Sequence, residues 1–125
     1  MTVTVKQLQA FADAWNRHDI ETLMSFMTDD CVFQMWTGPL ECGTRYSGTA
    51  EVRRGFVKAW LDFPDAHWGG AQHFISGERG LSEWIFTGRR ATDGARIEVR
   101  GCDVFTFRSG RIAVKNSFRK LRTTA

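Results

Sequence analysis

The feature that most limits what this chain can fold into is its second half. After "FPD", residues Phe63 to Asp65, come four stretches rich in β-branched and aromatic residues: "DAHWGGAQHFI", "LSEWIFTGRR", "RIEVRGCDVFTF" and "RIAVKNSFRK". Only the turn sequences "SGERG", "TDGA" and "RSG" separate them. None of these is long enough for a crossover helix, so the four stretches must run antiparallel as consecutive neighbours. The first half has a different period. Val5, Leu8, Phe11, Ala12 and Trp15 repeat at helical spacing as far as "NRHD". Asp19 then stands as the N-cap of a short helix bearing Ile20, Leu23, Met24 and Met27, which "TDD" ends. "CVFQMW" reads as the first strand. Beyond the loop "TGPLECGTRYSG", Ser47 or Thr49 is positioned to cap a third helix. Its inward residues are Val52, Phe56, Ala59 or Trp60, and Phe63, and Pro64 stops it. Helices first and a meander last define an α+β fold with the helices on one face of the sheet.

With 125 residues and no linker, repeat or low-complexity segment, the chain reads as a single domain spanning 1–125. A 42% hydrophobic content against 25% charged residues excludes a disordered chain. Ten Phe, five Trp and one Tyr are a heavy aromatic load, enough for a core and a pocket lining together. The net charge of +3 comes partly from the run "SFRKLRTTA". Nowhere do Lys and Arg alternate with aromatics as a nucleic-acid surface requires, so no nucleic-acid partner is expected. Cys31, Cys42 and Cys102 are odd in number and far apart, the usage of free thiols in a reducing compartment. No apolar run approaches the ~20 residues of a membrane span, and "MTVTVKQLQ" lacks a signal-peptide core. A cytoplasmic protein without membrane contact is the expectation.

One residue breaks the alternation of the meander. In "GCDVFTF" successive side chains point to opposite faces, so Asp103 shares the inner face with Phe105 and Phe107. A carboxylate there must be paired, protonated or at work. A tight turn at "ATDGAR" pairs Arg90 with Ile97, Phe86 with Gly101 and Trp84 with Asp103. The next hairpin admits two registers. A three-residue "RSG" loop with Gly110 left-handed pairs Phe107 with Arg111 and Asp103 with Lys115. A two-residue "SG" loop puts Asn116 opposite Asp103 instead. We prefer the first, because it gives the carboxylate a cation and adds Ser117 beside it. It also makes Val104, Ile112, Val114 and Phe118 one apolar outer face.

The order of elements and the phrases "FADAWNRHDIETLMSFMTDDCVF", "YSGTAEVRRGF", "SEWIFTG" and "GCDVFTFRSGRI" resemble the SnoaL-like branch of the superfamily that includes ketosteroid isomerase and nuclear transport factor two. The resemblance covers nearly the whole length. It implies a cone-shaped α+β barrel: three N-terminal helices packed on a strongly curved, mostly antiparallel sheet, with a mostly apolar cavity entering one end. It also implies a homodimer through the outer sheet faces, which here means the face of Val104, Ile112, Val114 and Phe118. For activity it implies less, since this fold hosts isomerases, cyclases, hydrolases, dehydratases and plain binding modules. Alignment with the isomerase site puts Phe11 where a tyrosine donates to the oxyanion and Met35 where a carboxylate takes the proton, leaving only Asp103 of the three. Similarly, Ser117 stands where related epoxide hydrolases keep a carboxylate. SnoaL-type cyclases also rely on an acid for proton abstraction, and Asp103 is the inward acid available for it.

Two readings of the site follow. In the first, Lys115 holds Asp103 ionised as a catalytic base or ligand anchor, with Trp84 stacked alongside and Ser117 adding a hydrogen bond. In the second, the pair is a buried ion pair that fixes register, and the fold binds a ligand or a partner copy without chemistry. Phe11, Trp15, Phe33, Met35, Trp36, Trp60, Trp84, Phe86 and Phe105 cannot all be central, so some must line a cavity suited to a small hydrophobic or aromatic molecule. His67 is a candidate for the cavity mouth, and His18 for the end of the first helix. His67 and His73 share strand parity, yet six residues at ~3.3 Å hold them about 20 Å apart, too far for one metal ion. His73 faces Glu83 if "SGERG" closes tightly, an outer-face pair. Cys102 points outward with no histidine near it, and no strand is followed by a Gly-rich helix entry, so neither a thiol nucleophile, a metal nor a cofactor is expected.

Overall fold

The computed structural model describes residues 2–123; Met1, Thr124 and Ala125 lie outside it. Three helices, α1 (Val5–Asn16), α2 (Ile20–Ser25) and α3 (Thr49–Asp62), pack on a six-stranded sheet of β1 (Met27–Gln34), β2 (Arg45–Ser47), β3 (His67–Ser76), β4 (Arg79–Arg89), β5 (Arg96–Arg108) and β6 (Arg111–Arg119). The strand order is β2-β1-β6-β5-β4-β3. The sheet is mixed, because β1 runs parallel to β6 while every other pair is antiparallel. It has two free edges, β2 and β3, and so is an open sheet rather than the closed barrel the resemblance implied.

Local chemistry explains most of the element ends. Thr4 caps α1 through its hydroxyl and Gln7 returns the bond, a complete capping box; Asp19 accepts from the Thr22 backbone at the start of α2. Val5, expected in the buried stripe, is 48% exposed, since the face that packs is Leu8, Phe11, Ala14 and Trp15. Neither Ser47 nor Thr49 caps α3. The N-cap is Gly48 at φ +83°, where the chain turns out of β2 in a conformation that a Cβ would strain. The Glu51 carboxylate accepts from the Ser47 N–H there instead. "TDD" does not end α2 by a turn but lies inside β1, which begins at Met27. The ladder to β6 is irregular between Met27 and Val32, and that irregularity lets Asp29 and Asp30 face solvent, with Asp30 paired to Arg108. β1 ends at Gln34, so Met35 and Trp36 belong to the loop beyond it.

The inner face of the sheet meets the helices in two aromatic clusters, a larger one with Phe11, Phe33, Phe56 and Phe105 and a smaller one with Phe63, Trp84 and Phe86. Phe11 of α1 stands edge-on to Phe105 at 6.0 Å, and Phe56 of α3 to Phe33 at 5.0 Å. Phe56, Phe86 and Phe105 are fully buried, each contributing about 1.5–3 kcal/mol relative to exposure.

Registers within the meander differ from the sequence-based expectation in informative ways. The β4–β5 pairing sets Trp84 opposite Gly101, Phe86 opposite Val99 and Ser82 opposite Asp103, two residues from the expected register. A shift of two preserves the face, so Trp84 and Asp103 still share it. In the last hairpin the loop is the two-residue "SG", with Ser109 at φ 54° and Gly110 at φ 75°, both left-handed as a type I′ turn requires. A bulge then slips the β5–β6 ladder by one between Phe107↔Ile112 and Thr106↔Val114. Ser117, rather than Lys115 or Asn116, therefore lies opposite Asp103. The bulge also turns Ile112 into the core at 1% exposure, removing it from the outer face assigned to it. In β3 a second irregularity, between Gly69 and Gln72, puts His67 and His73 on opposite faces; His73 pairs with Ser82, not Glu83.

Candidate functional site

The site is built from the inner faces of three adjacent strands. Along β6 alternation places Lys115, Ser117 and Arg119 inward; β5 supplies Asp103 and Phe105, and β4 supplies Ser82, Trp84 and Phe86. Asp103 and Lys115 are 10% and 7% exposed at the side chain. Lys115 sits opposite Phe105 and reaches diagonally, its Nζ donating to Asp103 Oδ1 at 3.0 Å and to Ser117 Oγ at 2.8 Å. The Ser117 hydroxyl donates in turn to the same Oδ1 at 2.5 Å. The Trp84 indole N–H donates to Oδ2 at 3.0 Å.

Glycine makes that last bond possible. A Cβ on Gly101 would stand 2.5 Å from the Trp84 ring and 2.5 Å from the Phe118 carbonyl oxygen, so only a glycine opposite Trp84 lets the indole lie across the strand toward Asp103. The Lys115 ammonium is also enclosed by ring faces: it lies 4.7 Å from the Phe33 centroid, 5.0 Å from Trp15 and 5.7 Å from Phe56. The pair is thus hydrogen-bonded at both ends and walled by aromatics, the condition under which buried charges are tolerated.

A cavity of about 230 Å³ lies beside this cluster. Of the residues expected to line it, Trp15, Phe33, Met35, Trp36, Trp84, Phe86, Lys115 and Ser117 form its wall. Asp103 does not; its carboxylate stands behind Ser117, Lys115 and Trp84, touching only a void of about 20 Å³ that it shares with Phe11 and Phe105. Phe11 and Phe105 are core, at 2% and 1% exposure. Trp60 also lies outside the wall, stacked on His18 at 5.0 Å. His67 points to solvent rather than to the cavity mouth. His18 closes the turn after α1 at φ 57°, its Nε2 3.0 Å from the Ala66 carbonyl.

Sequence reading missed several wall residues: Tyr46, Trp68, Lys58, Asp62 and Arg119. Arg119 was hidden within the basic run, although extending the alternation from Lys115 and Ser117 by two residues places it inward. Its guanidinium carbon lies 3.8 Å from the Trp36 centroid, 4.5 Å from Phe86 and 5.5 Å from Phe63. Burial, aided by nearby Arg90, pushes its pKa down to about 10. A wider cleft of about 820 Å³ adjoins the cavity, and the two share Trp36, Asp62, Phe63 and Arg119. Elsewhere, His73 bridges Ser82 Oγ (2.7 Å) and Gln9 Oε1 (2.9 Å), and burial lowers its pKa. Burial raises the Cys102 thiol, with Asp103 and Glu83 adding to the effect. Among the described residues no three His, Cys, Asp or Glu side chains are grouped to hold a metal ion, and no helix is long and apolar enough to cross a membrane.

An open mixed sheet carrying three helices, with an aromatic cavity against its inner face, defines a small cavity-bearing α+β domain. The family model described as "SnoaL-like domain" matches residues 8–115, and the chain belongs to that family. Solved structures of similar fold include a candidate polyketide cyclase from Xanthomonas campestris pv. campestris, 20% identical over 89% of this chain and 85% of that one, with a TM-score of 0.78. A protein with a ketosteroid isomerase-like fold from Catenulispora acidiphila, in complex with trimethylamine, is 14% identical over 95% and 88% of the two chains, TM-score 0.81. A phenazine biosynthesis-related protein from Pseudomonas aeruginosa is 16% identical over 90% and 74%, TM-score 0.72. At these identities the likeness is one of fold. No curated protein matches by sequence.

Proposed function

We propose that this chain binds a small, flat, hydrophobic or aromatic molecule in the cavity beside β6. The observation that carries the reading is the aromatic cavity, walled by Trp15, Phe33, Trp36, Trp68, Trp84 and Phe86 with polar side chains from α3 and β6; at about 230 Å³ it is smaller than the ~300 Å³ of an ordinary ligand pocket and is not lined by Asp103, but it opens beside the cleft of about 820 Å³. Its size suits one or two fused rings. Lys115, Ser117 and Arg119 are the polar side chains such a molecule meets from β6, and Asp103 bonds the first two from behind.

The proposal has a catalytic form and a non-catalytic form, and Asp103 divides them. Proton transfer of the isomerase, cyclase or dehydratase type is supported by the 2.5 Å bond from the wall hydroxyl of Ser117 to Asp103, since a proton reaching Ser117 has a carboxylate directly behind it. Binding without chemistry is supported by the enclosure of that carboxylate, whose oxygens already accept from Lys115, Ser117 and Trp84. The geometry favours the second form. Aromatic ketones and polyketide-like compounds offered to wild type and to Asp103→Asn, with ligand deuterium exchange followed by NMR, decide between them. Exchange in wild type that disappears in the variant establishes catalysis; binding with both proteins at the solvent rate establishes a binding module. If no compound in the panel binds, the cavity reading fails.

A homodimer through the outer sheet face belongs to the same proposal. Phe74, Ile85 and Phe118 stand exposed there at 53%, 37% and 51%, on strands whose inner faces are covered by helices. Sedimentation equilibrium showing only monomer at micromolar concentration would overturn it.

A further inference from the structure

We propose that the molecule bound in this cavity is an aromatic carboxylate, its ring among the tryptophans and its carboxylate on the guanidinium of Arg119. The inference rests on the binding reading above and narrows its ligand to one chemical class. It follows from the charges in the cavity wall. Four wall side chains are ionic: Lys58, Asp62, Lys115 and Arg119. Lys58 is paired with Asp62 at 2.9 Å, and Lys115 with Asp103 at 3.0 Å. Arg119 alone has neither an ion-pair nor a hydrogen-bond partner among the described residues, while its guanidinium carbon lies over the rings of Trp36 and Phe86 at 3.8 and 4.5 Å.

A half-buried guanidinium with free N–H groups is an unfilled recognition site. Arginine presents its donors as a rigid planar fork that matches the two oxygens of a carboxylate, and no described residue takes them here. The partial loss of water that pushes Arg119 down to about 10 is relieved when an anion arrives beside it. Asp62 acts on Arg119 only at longer range, opposing part of that shift; it makes no ion pair or hydrogen bond with the guanidinium among the described residues and is paired instead with Lys58, at 3.2 and 2.9 Å. The approach to the site is cationic too. The adjoining cleft presents Arg90, Arg96, Lys120 and Arg122 besides Arg119; Arg90 is paired with Asp93 and Arg96 with Glu98, which leaves Lys120 and Arg122 as further cations without an ion-pair partner among the described residues. Such a field draws small anions toward the cavity mouth and raises their association rate at low salt. A carboxylate fits better than a phosphate dianion, because a single guanidinium balances a single charge in a wall that is otherwise paired and apolar.

The test compares 1-naphthoate with the neutral 1-naphthamide, near-isosteric molecules that differ in charge, by titration of the intrinsic tryptophan fluorescence; Trp15, Trp36, Trp68 and Trp84 all line the cavity. Wild type is expected to bind the acid at least about tenfold tighter than the amide, the range of a charge-assisted hydrogen bond over a neutral one. The preference should shrink as NaCl is added. Arg119→Gln should bring the acid-to-amide ratio to about one, and Arg119→Lys should restore part of the preference. Unchanged circular dichroism and melting temperature establish that the variants are folded; if Arg119→Gln is not, the acid-to-amide ratio and its salt dependence in wild type decide alone. Equal binding of acid and amide by wild type, or a preference that survives in folded Arg119→Gln, overturns the inference and leaves the cavity reading standing. Failure of the acid, the amide and the ketone panel alike overturns both.

Discussion

Replacing Lys115 with methionine tests the central cluster most directly. Methionine is nearly as long as the lysine stem, so packing against Phe33, Trp15 and Phe56 is largely kept and little cavity is created. What is lost is the only cation among the described residues within ion-pair distance of a carboxylate that is 10% exposed. Removing one partner of a buried pair costs about 3–5 kcal/mol, mostly the penalty of leaving the other charge unpaired. Asp103 keeps two neutral donors, Trp84 Nε1 and the Ser117 hydroxyl, so the lower end, about 3 kcal/mol, is expected. For a domain of this size that corresponds to a fall in melting temperature of roughly 10 °C or more. Adding Asp103→Asn to Lys115→Met removes the stranded charge while leaving an amide oxygen to accept from Trp84. The double variant should therefore be more stable than Lys115→Met alone, with a coupling of about 2 kcal/mol or more. Urea denaturation followed by tryptophan fluorescence and far-ultraviolet circular dichroism measures all four corners of the cycle. A Lys115→Met cost below about 1 kcal/mol, or a strictly additive cycle, would show that the pair carries no such energy.

Two further outcomes follow from the same strands. Gly101→Ala should cost about 2–3 kcal/mol, because its Cβ collides with the Phe118 carbonyl and with the Trp84 ring, and should alter the near-ultraviolet signal of Trp84 as the indole leaves Asp103; a wild-type melting temperature and spectrum would refute this. Burial lowers the His73 pKa below its ordinary value of 6.5, with Asp13 opposing the shift and Gln9 and Ser82 bonded to the ring. A lowered imidazole is favoured neutral in the fold, so the unfolded chain takes up its proton first as pH falls. The contribution of His73 is complete above pH 6.5 and is lost as pH drops from there toward the folded value. His73→Gln should therefore show a shallower loss of stability than wild type between about pH 7.5 and 5.5, and parallel slopes would rule the mechanism out.

Local rules carried the reading of the sequence a long way, and the exceptions have a common cause. Helical spacing placed all three helices, and turn chemistry placed all four strands of the meander, because each signal is contained within a few residues. Asp103 could be put on the phenylalanine face for the same reason. Pairing across strands was less legible, because one bulge changes every partner beyond it. The slip at Ala113 is not marked by glycine or proline, yet it returned Lys115 to the inner face after a two-residue turn that would otherwise have sent it outward. The irregularity in β3 separated His67 from His73 in the same way. The parallel contact of β1 with β6 joins segments distant in sequence and had no local signal. Tyr46 and Trp68 reach the cavity through such long-range placement, which no periodicity within their own segments announces.

The inner face of β6 carries two cations in the cavity wall, of which sequence reading singled out one. Lys115 and Arg119 are four residues apart, face the same way and both stand over aromatic rings. Asp103 lies directly across from Ser117, midway between them, but its Oδ1 takes the lysine and its Oδ2 takes Trp84. No ion pair or hydrogen bond joins that carboxylate to Arg119 among the described residues, and Gly101, opposite Arg119, offers no side chain that could. One wall cation is therefore paired within the fold, and the other has no ion-pair partner among the described residues. Under the proposed reading Asp103, on β5, supports the site from behind, and Arg119, two positions beyond Ser117 on β6, is the group left to meet a ligand.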